Sequence, residues 1–114
     1  MKEIVGNGLL YDFYGELLTP HQQRVYGDAV NEDMTLNEIA ERYEISRQAA
    51  HDLIRRCTGT MMKYEEKLHM VDRFLRIREE TARLRQLVKE SETKGYSDRQ
   101  LLGVAKRIEE VLEQ

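Results

Sequence analysis

From residue 46 to residue 63 the chain sets out hydrogen-bonding and cationic groups at helical spacing. The stretch "SRQAAHDLIRRCTGTMMK" puts Ser46, Arg47, Gln48, His51, Asp52, Arg55, Arg56 and Lys63 outside a stripe of Ala49, Ala50, Leu53 and Ile54. A guanidinium forks onto the two acceptors of guanine or onto a phosphate. A carboxamide matches adenine, and a carboxylate accepts from the amino group of cytosine. Residues 47 to 63 carry a net charge of +3. This set suits a polyanion with readable edges. Arg47, Gln48, His51, Asp52 and Arg55 are the candidates for base edges, Arg56 and Lys63 for phosphates, and Ser46 for the cap of the helix that carries them. The same residues also read as the solvated face of a helix in a three-helix core.

No other constellation points to chemistry. His21, His51 and His69 are scattered and Cys57 is alone, so no metal-ligand spacing is present. There is no nucleophile elbow, P-loop or paired-carboxylate arrangement. The reading is therefore a protein that is not an enzyme and has no metal and no cofactor. Cys57 is expected to be a small buried hydrophobe and His69 a surface residue. With one cysteine, no internal disulfide can form. The start, "MKEIVGNGLLYDFYGELL", lacks the pattern of a signal peptide, and no apolar run is long enough to span a bilayer. The expectation is a cytoplasmic chain without membrane insertion.

Charge argues the other way. The whole chain is at -3, residues 1 to 60 at -4 and residues 61 to 114 at +1. Glu38, Glu41 and Glu44 precede the basic stretch. Phosphate neutralisation supplies most of a nucleic-acid binder's affinity, so a monomer with so few cations would bind weakly at physiological salt.

The elements that must position these groups announce themselves by their starts. Thr19-Pro20-His21-Gln22, Thr35-Leu36-Asn37-Glu38 and Ser97-Asp98-Arg99-Gln100 each place a hydroxyl at the N-cap and Gln or Glu three residues on. Met34 with Ile39, and Tyr96 with Leu101, can staple two of them. The spacing predicts a short helix around 9–18, then helices over 20–31, 36–43 and from 47 onward. Inward candidates are Val25, Tyr26, Ala29, Leu36, Ile39, Ala40, Tyr43, Ala49, Ala50, Leu53 and Ile54. Ala40 permits close crossing of two helices, and Ile45 plugs the turn between them. Glu44 sits where a positive φ, and hence glycine, is favoured. Gly59 is a point where the helix could kink or break, at a cost of about 1 kcal/mol relative to alanine in a helix interior.

From Met61 to Glu92 an apolar stripe runs through Met61, Tyr64, Leu68, Val71 and Leu75, then shifts to Phe74, Ile77, Leu84, Leu87 and Val88. The expectation is one long amphipathic helix of roughly 45–50 Å, with Arg76 paired to Glu80. Gly95 ends it, and a last helix over about 98–113 buries Leu101, Leu102, Val104, Ala105, Ile108, Val111 and Leu112. A stripe this long exceeds what so small a domain covers alone, which predicts a homodimer. The fold class is all-α: one domain, with a helix-turn-helix bundle over about 8–57 and a long helix plus C-terminal helix over about 58–114 used for dimerisation.

Residues 17 to 56 resemble the C-terminal DNA-binding region (region 4) of bacterial sigma factors. Read in order, "YDFYGELLT", "EIAERYEISRQAAHDLIRR" and "YEEKLHMVDRF" are similar to the YlxM family of small bacterial helix-turn-helix proteins. The resemblance implies an all-helical, sigma-like N-terminal part and a long helical C-terminal part. It also implies a regulatory role or one in the signal recognition particle pathway, since the family's genes neighbour those of Ffh and FtsY. Two readings stay open: contact with DNA or the particle RNA through the helix-turn-helix, or docking of Ffh or FtsY with the helix-turn-helix as scaffold.

Overall fold

The computed structural model describes residues 2–94 and 98–113, and all elements among them are helical. Helix α1 spans Lys2–Tyr14 and tightens into a 3-10 turn at Gly15–Leu17. It is followed by α2 (Pro20–Asn31), α3 (Leu36–Tyr43), α4 (Arg47–Leu68), α5 (Met70–Lys94) and α6 (Asp98–Leu112). The chain divides into two compact units, Met1–His69 and Met70–Gln114.

In the first unit α2, α3 and α4 enclose a core of Val25, Ile39 and Ala50. Ala29, Met34, Leu36, Tyr43, Ile45, Leu53 and Ile54 pack around it. Both expected capping boxes are formed. Thr19 accepts from the Gln22 N–H and Gln22 returns to the Thr19 N–H; Thr35 and Glu38 do the same. Met34 reaches the cluster that holds Ile39, as a staple does. Asp28 ties α2 to α3, accepting from the Tyr43 hydroxyl and pairing with Arg42 at 3.3 Å. Ala49 departs from expectation: it is exposed, because only Ala50, one residue on, faces the core.

Helix α4 runs without interruption through Gly59. That residue lies on the outer face, where a Cβ would meet nothing within 4 Å, so no packing forces a break. The interruption comes ten residues later. His69 is exposed, adopts φ 54°, ψ 30°, and donates its N–H to the Glu65 carbonyl. The single long helix expected over 61–92 is therefore two helices. Met61 and Tyr64 belong to the tail of α4.

That tail is held by α1, an arrangement the sequence reading did not contain. Leu10, Tyr14 and Leu18 are buried on one side, Cys57 and Met61 on the other. Tyr14 stacks on Tyr64 with ring centroids 6.2 Å apart and donates to Glu65 at 2.6 Å. Tyr26 shares a 2.7 Å hydrogen bond with Thr58, whose hydroxyl lies 2.9 Å from the Ile54 carbonyl. Tyr11 stacks on Tyr26 and donates to the Gln23 carbonyl at 2.9 Å. A Cβ at Gly15 would come within 2.8 Å of the Tyr11 ring, so glycine there is what admits the ring.

In the second unit α5 packs against α6. Val104 and Val111 are buried, and Glu80 is buried with them at 4% exposure. Arg107 donates to both Glu80 oxygens at 2.9 and 2.8 Å, and Arg83 adds a third contact. Arg76 does not take Glu80; it faces Asp72 at 3.8 Å, one turn back. Leu102 and Leu112, expected inside, are 68% and 64% exposed, and Ala105 is exposed too. The Ser97 cap, the Tyr96 staple and the Gly95 stop lie outside the described residues.

Candidate nucleic-acid interface

The turn between α3 and α4 is built by three residues with separate tasks. Glu44 takes the left-handed conformation at φ 55°, ψ 45°. Its N–H turns toward the Glu41 carbonyl at 3.4 Å, and the Ile45 N–H reaches the Ala40 carbonyl at 3.0 Å. This is the Schellman pattern, which satisfies carbonyls left over at a helix end and usually calls for glycine. Ile45 then drops its side chain into the core, and Ser46 accepts from the Ala49 N–H at 3.0 Å to open α4. The entry of α4 is thus fixed on both sides of a three-residue turn.

The predicted site residues lie on the outward side of α4. Arg47, Gln48, His51, Arg55, Arg56 and Lys63 are exposed, as is Ser46 in front of them, and Asp52 is half-buried. At 1.5 Å per residue, Arg47 to Arg56 covers about 14 Å of helix axis. That compares with a major groove about 12 Å wide. Lys63 sits about 24 Å from Arg47 along the axis, two turns past the cluster. The structure therefore groups the residues from 46 to 56 and leaves Lys63 apart.

Asp52 organises the middle of the face. Gln48 donates its Nε2 to Asp52 Oδ1 at 3.0 Å, and His51 Nδ1 lies 3.7 Å from the same oxygen. Among the described residues Arg47, Arg55, Arg56 and Lys63 make no hydrogen bond or ion pair through their charged ends.

The acidic neighbours on α3 are partly spoken for. The Glu38 carboxylate is turned onto the Thr35 N–H, and hydrogen bonding to Thr35 backbone and side chain holds its pKa below the usual value. Glu38, Glu41, Met34 and Arg42 line their own shallow groove. A second groove of about 380 Å³ flanks α4, between Thr19, His21 and Gln22 at the start of α2 and Ile45, Ala49, Leu53 and Arg56. Sequence reasoning missed this flank. The Thr19–Gln22 capping box was legible, but not which helix end stands beside Arg56. Cys57 is fully buried behind the face, and burial raises its thiol pKa, so it stays an apolar filler. No cluster that could hold a metal ion is present among the described residues.

A three-helix core, a short turn plugged by an apolar residue and an exposed, capped second helix define a helix-turn-helix protein. The chain belongs to the UPF0122 family, whose model, described as "Putative helix-turn-helix protein, YlxM / p13 like", matches residues 2–102. It is similar to a UPF0122 protein of Desulforamulus reducens, 47% identical over 74 residues, which span 65% of this chain and 63% of that one. The chain thus matches less than two thirds of that relative's length. Coverage is fuller with a UPF0122 protein of Geobacillus kaustophilus, 39% identical over 103 residues and 90% of each chain. A Bacillus cereus member is 34% identical over 100 residues, covering 88% of this chain and 91% of its own. No described helix is long and apolar enough to cross a membrane.

Proposed function

We propose that this chain is a regulatory nucleic-acid-binding protein that inserts the first three turns of α4 into a groove, in the manner of region 4 of sigma factors. One observation carries the reading: Arg47, Arg55 and Arg56 stand outward without ion pairs on a helix whose entry is fixed by the Glu44–Ser46 turn. In this reading Arg47, Gln48, His51 and Arg55 reach base edges and Arg56 a phosphate. Asp52 holds Gln48 in place and can accept from cytosine. Lys63 touches a phosphate only where the nucleic acid follows α4 beyond the groove. The reaction class is binding, with no catalytic step.

The test is a salt titration of the purified chain against a random DNA duplex pool and, in a second arm, the signal recognition particle RNA. One phosphate contact per protomer at Arg56, or two where Lys63 also engages, gives a slope of log K against log salt of about -0.9 to -1.8 on duplex DNA. Changing Arg47, Arg55 and Arg56 together to alanine should abolish binding with helicity intact. Binding that survives the triple change sinks the proposal. The RNA arm is included because A-form helices are read by shape and phosphate contacts.

The rival reading makes the chain an accessory of Ffh or FtsY, with the helix-turn-helix as scaffold. The exposed apolar residues of α5, Leu84 and Val88, favour it. Arg76→Glu with Arg78→Glu should then break capture of Ffh, and an intact chain that never retains Ffh removes the reading.

A further inference from the structure

On each helix of the second unit an apolar run lies beside the seam at which the pair packs. The inner seam centres on Glu80 of α5 and Val104 of α6, both buried. The outer seam holds Ile77, Leu84 and Val88 on α5, at -3, +4 and +8 from Glu80. On α6 it holds Leu101, Ile108 and Leu112, at the same offsets from Val104. At 100° per residue these offsets lie about 40–80° round the helix from the inner seam, in the same rotational sense. In an antiparallel pair, equal rotation brings both runs to one side. There Leu84 is 37%, Val88 54% and Leu112 64% exposed, while Ile77, Leu101 and Ile108 are half-buried.

We propose that this side is the dimer interface, joining two copies of the α5–α6 pair into a four-helix bundle. A helix with a stripe as wide as these needs two neighbours, and the pair supplies one each. A second copy under two-fold symmetry supplies the other. Charge selects the arrangement. A two-fold axis along the helices stacks α5 on the partner's α6 at the level the Glu80–Arg107 bond sets within one chain. The exposed Arg78 then faces the exposed acidic end of the partner's α6, carrying Glu109 and Glu113. This inference does not rest on nucleic-acid binding, so the two can fail separately.

Light scattering on the eluting full chain at micromolar to 100 µM concentration reads the state directly. The expected mass is twice the 13.5 kDa of one chain. Leu84→Glu with Leu112→Glu should give the monomer mass at unchanged helicity, since both side chains are exposed. Arg78→Glu alone, or Glu109→Arg with Glu113→Arg alone, should weaken dimerisation about tenfold, two symmetric contacts being lost in each dimer. Combining them should restore it to within about threefold. A 13.5 kDa mass at every concentration overturns the proposal. So does a combined variant no tighter than its parents. A monomer whose Leu84/Leu112 variant instead loses Ffh capture assigns the face to another protein and overturns it as well.

Discussion

Replacing Gly59 by alanine should stabilise the first unit, although it adds no contact. Gly59 is the thirteenth of the 22 residues of α4, it is exposed, and a Cβ there meets nothing within 4 Å. Its backbone already lies within a helix, so the methyl group adds no strain. Glycine in a helix interior costs about 1 kcal/mol relative to alanine, much of it through the freedom of the unfolded chain. For a unit of this size that amounts to a rise of about 4–8 °C in midpoint. Tyrosine fluorescence in a urea titration is the suitable assay. The chain has no tryptophan, and five of its six tyrosines lie within residues 1–69. The signal therefore follows the first unit even where the second unfolds separately. The slope with urea should stay constant and the midpoint move up. A midpoint that holds or falls would refute the reasoning and mean that α4 does bend at Gly59. Binding to a duplex should change less than twofold, because Gly59 lies nearly a turn past Arg56.

Further substitutions test the turn, the tyrosine clamp, the recognition face and the α3 cap. Glu44→Gly should raise stability by up to about 1 kcal/mol, since a side chain at φ 55° is disfavoured by about 1–2 kcal/mol and glycine's extra chain entropy offsets part of it; a chemical melt decides. Tyr14→Phe should cost about 2 kcal/mol in the same melt, because the bond lost is to a carboxylate and Tyr14 is 1% exposed. Asp52→Asn should tighten binding to random duplex several-fold at low salt while reducing discrimination among sequences, as fluorescence anisotropy on a pool and on a selected site would record. Glu38 should titrate below an ordinary glutamate by NMR, and Thr35→Ala should raise its midpoint. A depressed folded pKa means the stability from this cap is present above the unfolded value of about 4.5 and is lost as pH falls through the lower, folded one.

The helix-turn-helix could be read from the chain because its signals are local. Both capping boxes, the αL residue at Glu44, the plug at Ile45 and the cap at Ser46 depend on neighbours within five residues, and all but Glu44, which stands where glycine is usual, form as their residue types dictate. What escaped the reading depends on residues far apart. Tyr14 bonds Glu65 across 51 positions, and nothing near either one announces it. The Met61–Tyr64 stretch looked like the start of a free stripe because α1, its cover, is rich in glycine and weak as a helix by propensity. The stop at His69 was missed for the opposite reason: a histidine in the left-handed region carries none of the usual marks of a helix end. Glu80 attracted the obvious partner at i-4, whereas its burial against α6 selects Arg107, 27 positions away.

The tension between an acidic chain and the basic face proposed to bind nucleic acid eases once the carboxylates are traced one at a time. Asp28 is bound by Arg42 and Tyr43, Glu38 by the Thr35 backbone, Asp52 by Gln48, and Glu65 by Tyr14. Arg42 offsets the charge of Asp28, while the other three donors are neutral and fix where those carboxylates point without cancelling their charge. A net charge of -3 counts them as though they faced the ligand. Fields over a surface are set by position, and beyond about 10 Å at ordinary salt an exposed charge is largely screened. Within that distance on α4, Arg47, Arg55 and Arg56 outnumber Asp52. The same accounting explains why the tail of α4 matters to its tip. The clamp of Tyr14, Tyr26 and Met61 holds α4 from behind while the Glu44–Ser46 turn holds it from the front, so the arginines are presented on a helix fixed at two points. Loosening the clamp with Tyr14→Phe should therefore weaken nucleic-acid binding as well as stability, although Tyr14 lies on α1 and outside the face. A Tyr14→Phe chain that melts earlier yet binds duplex as the parent does, at a temperature where both are folded, would show that the turn alone is enough.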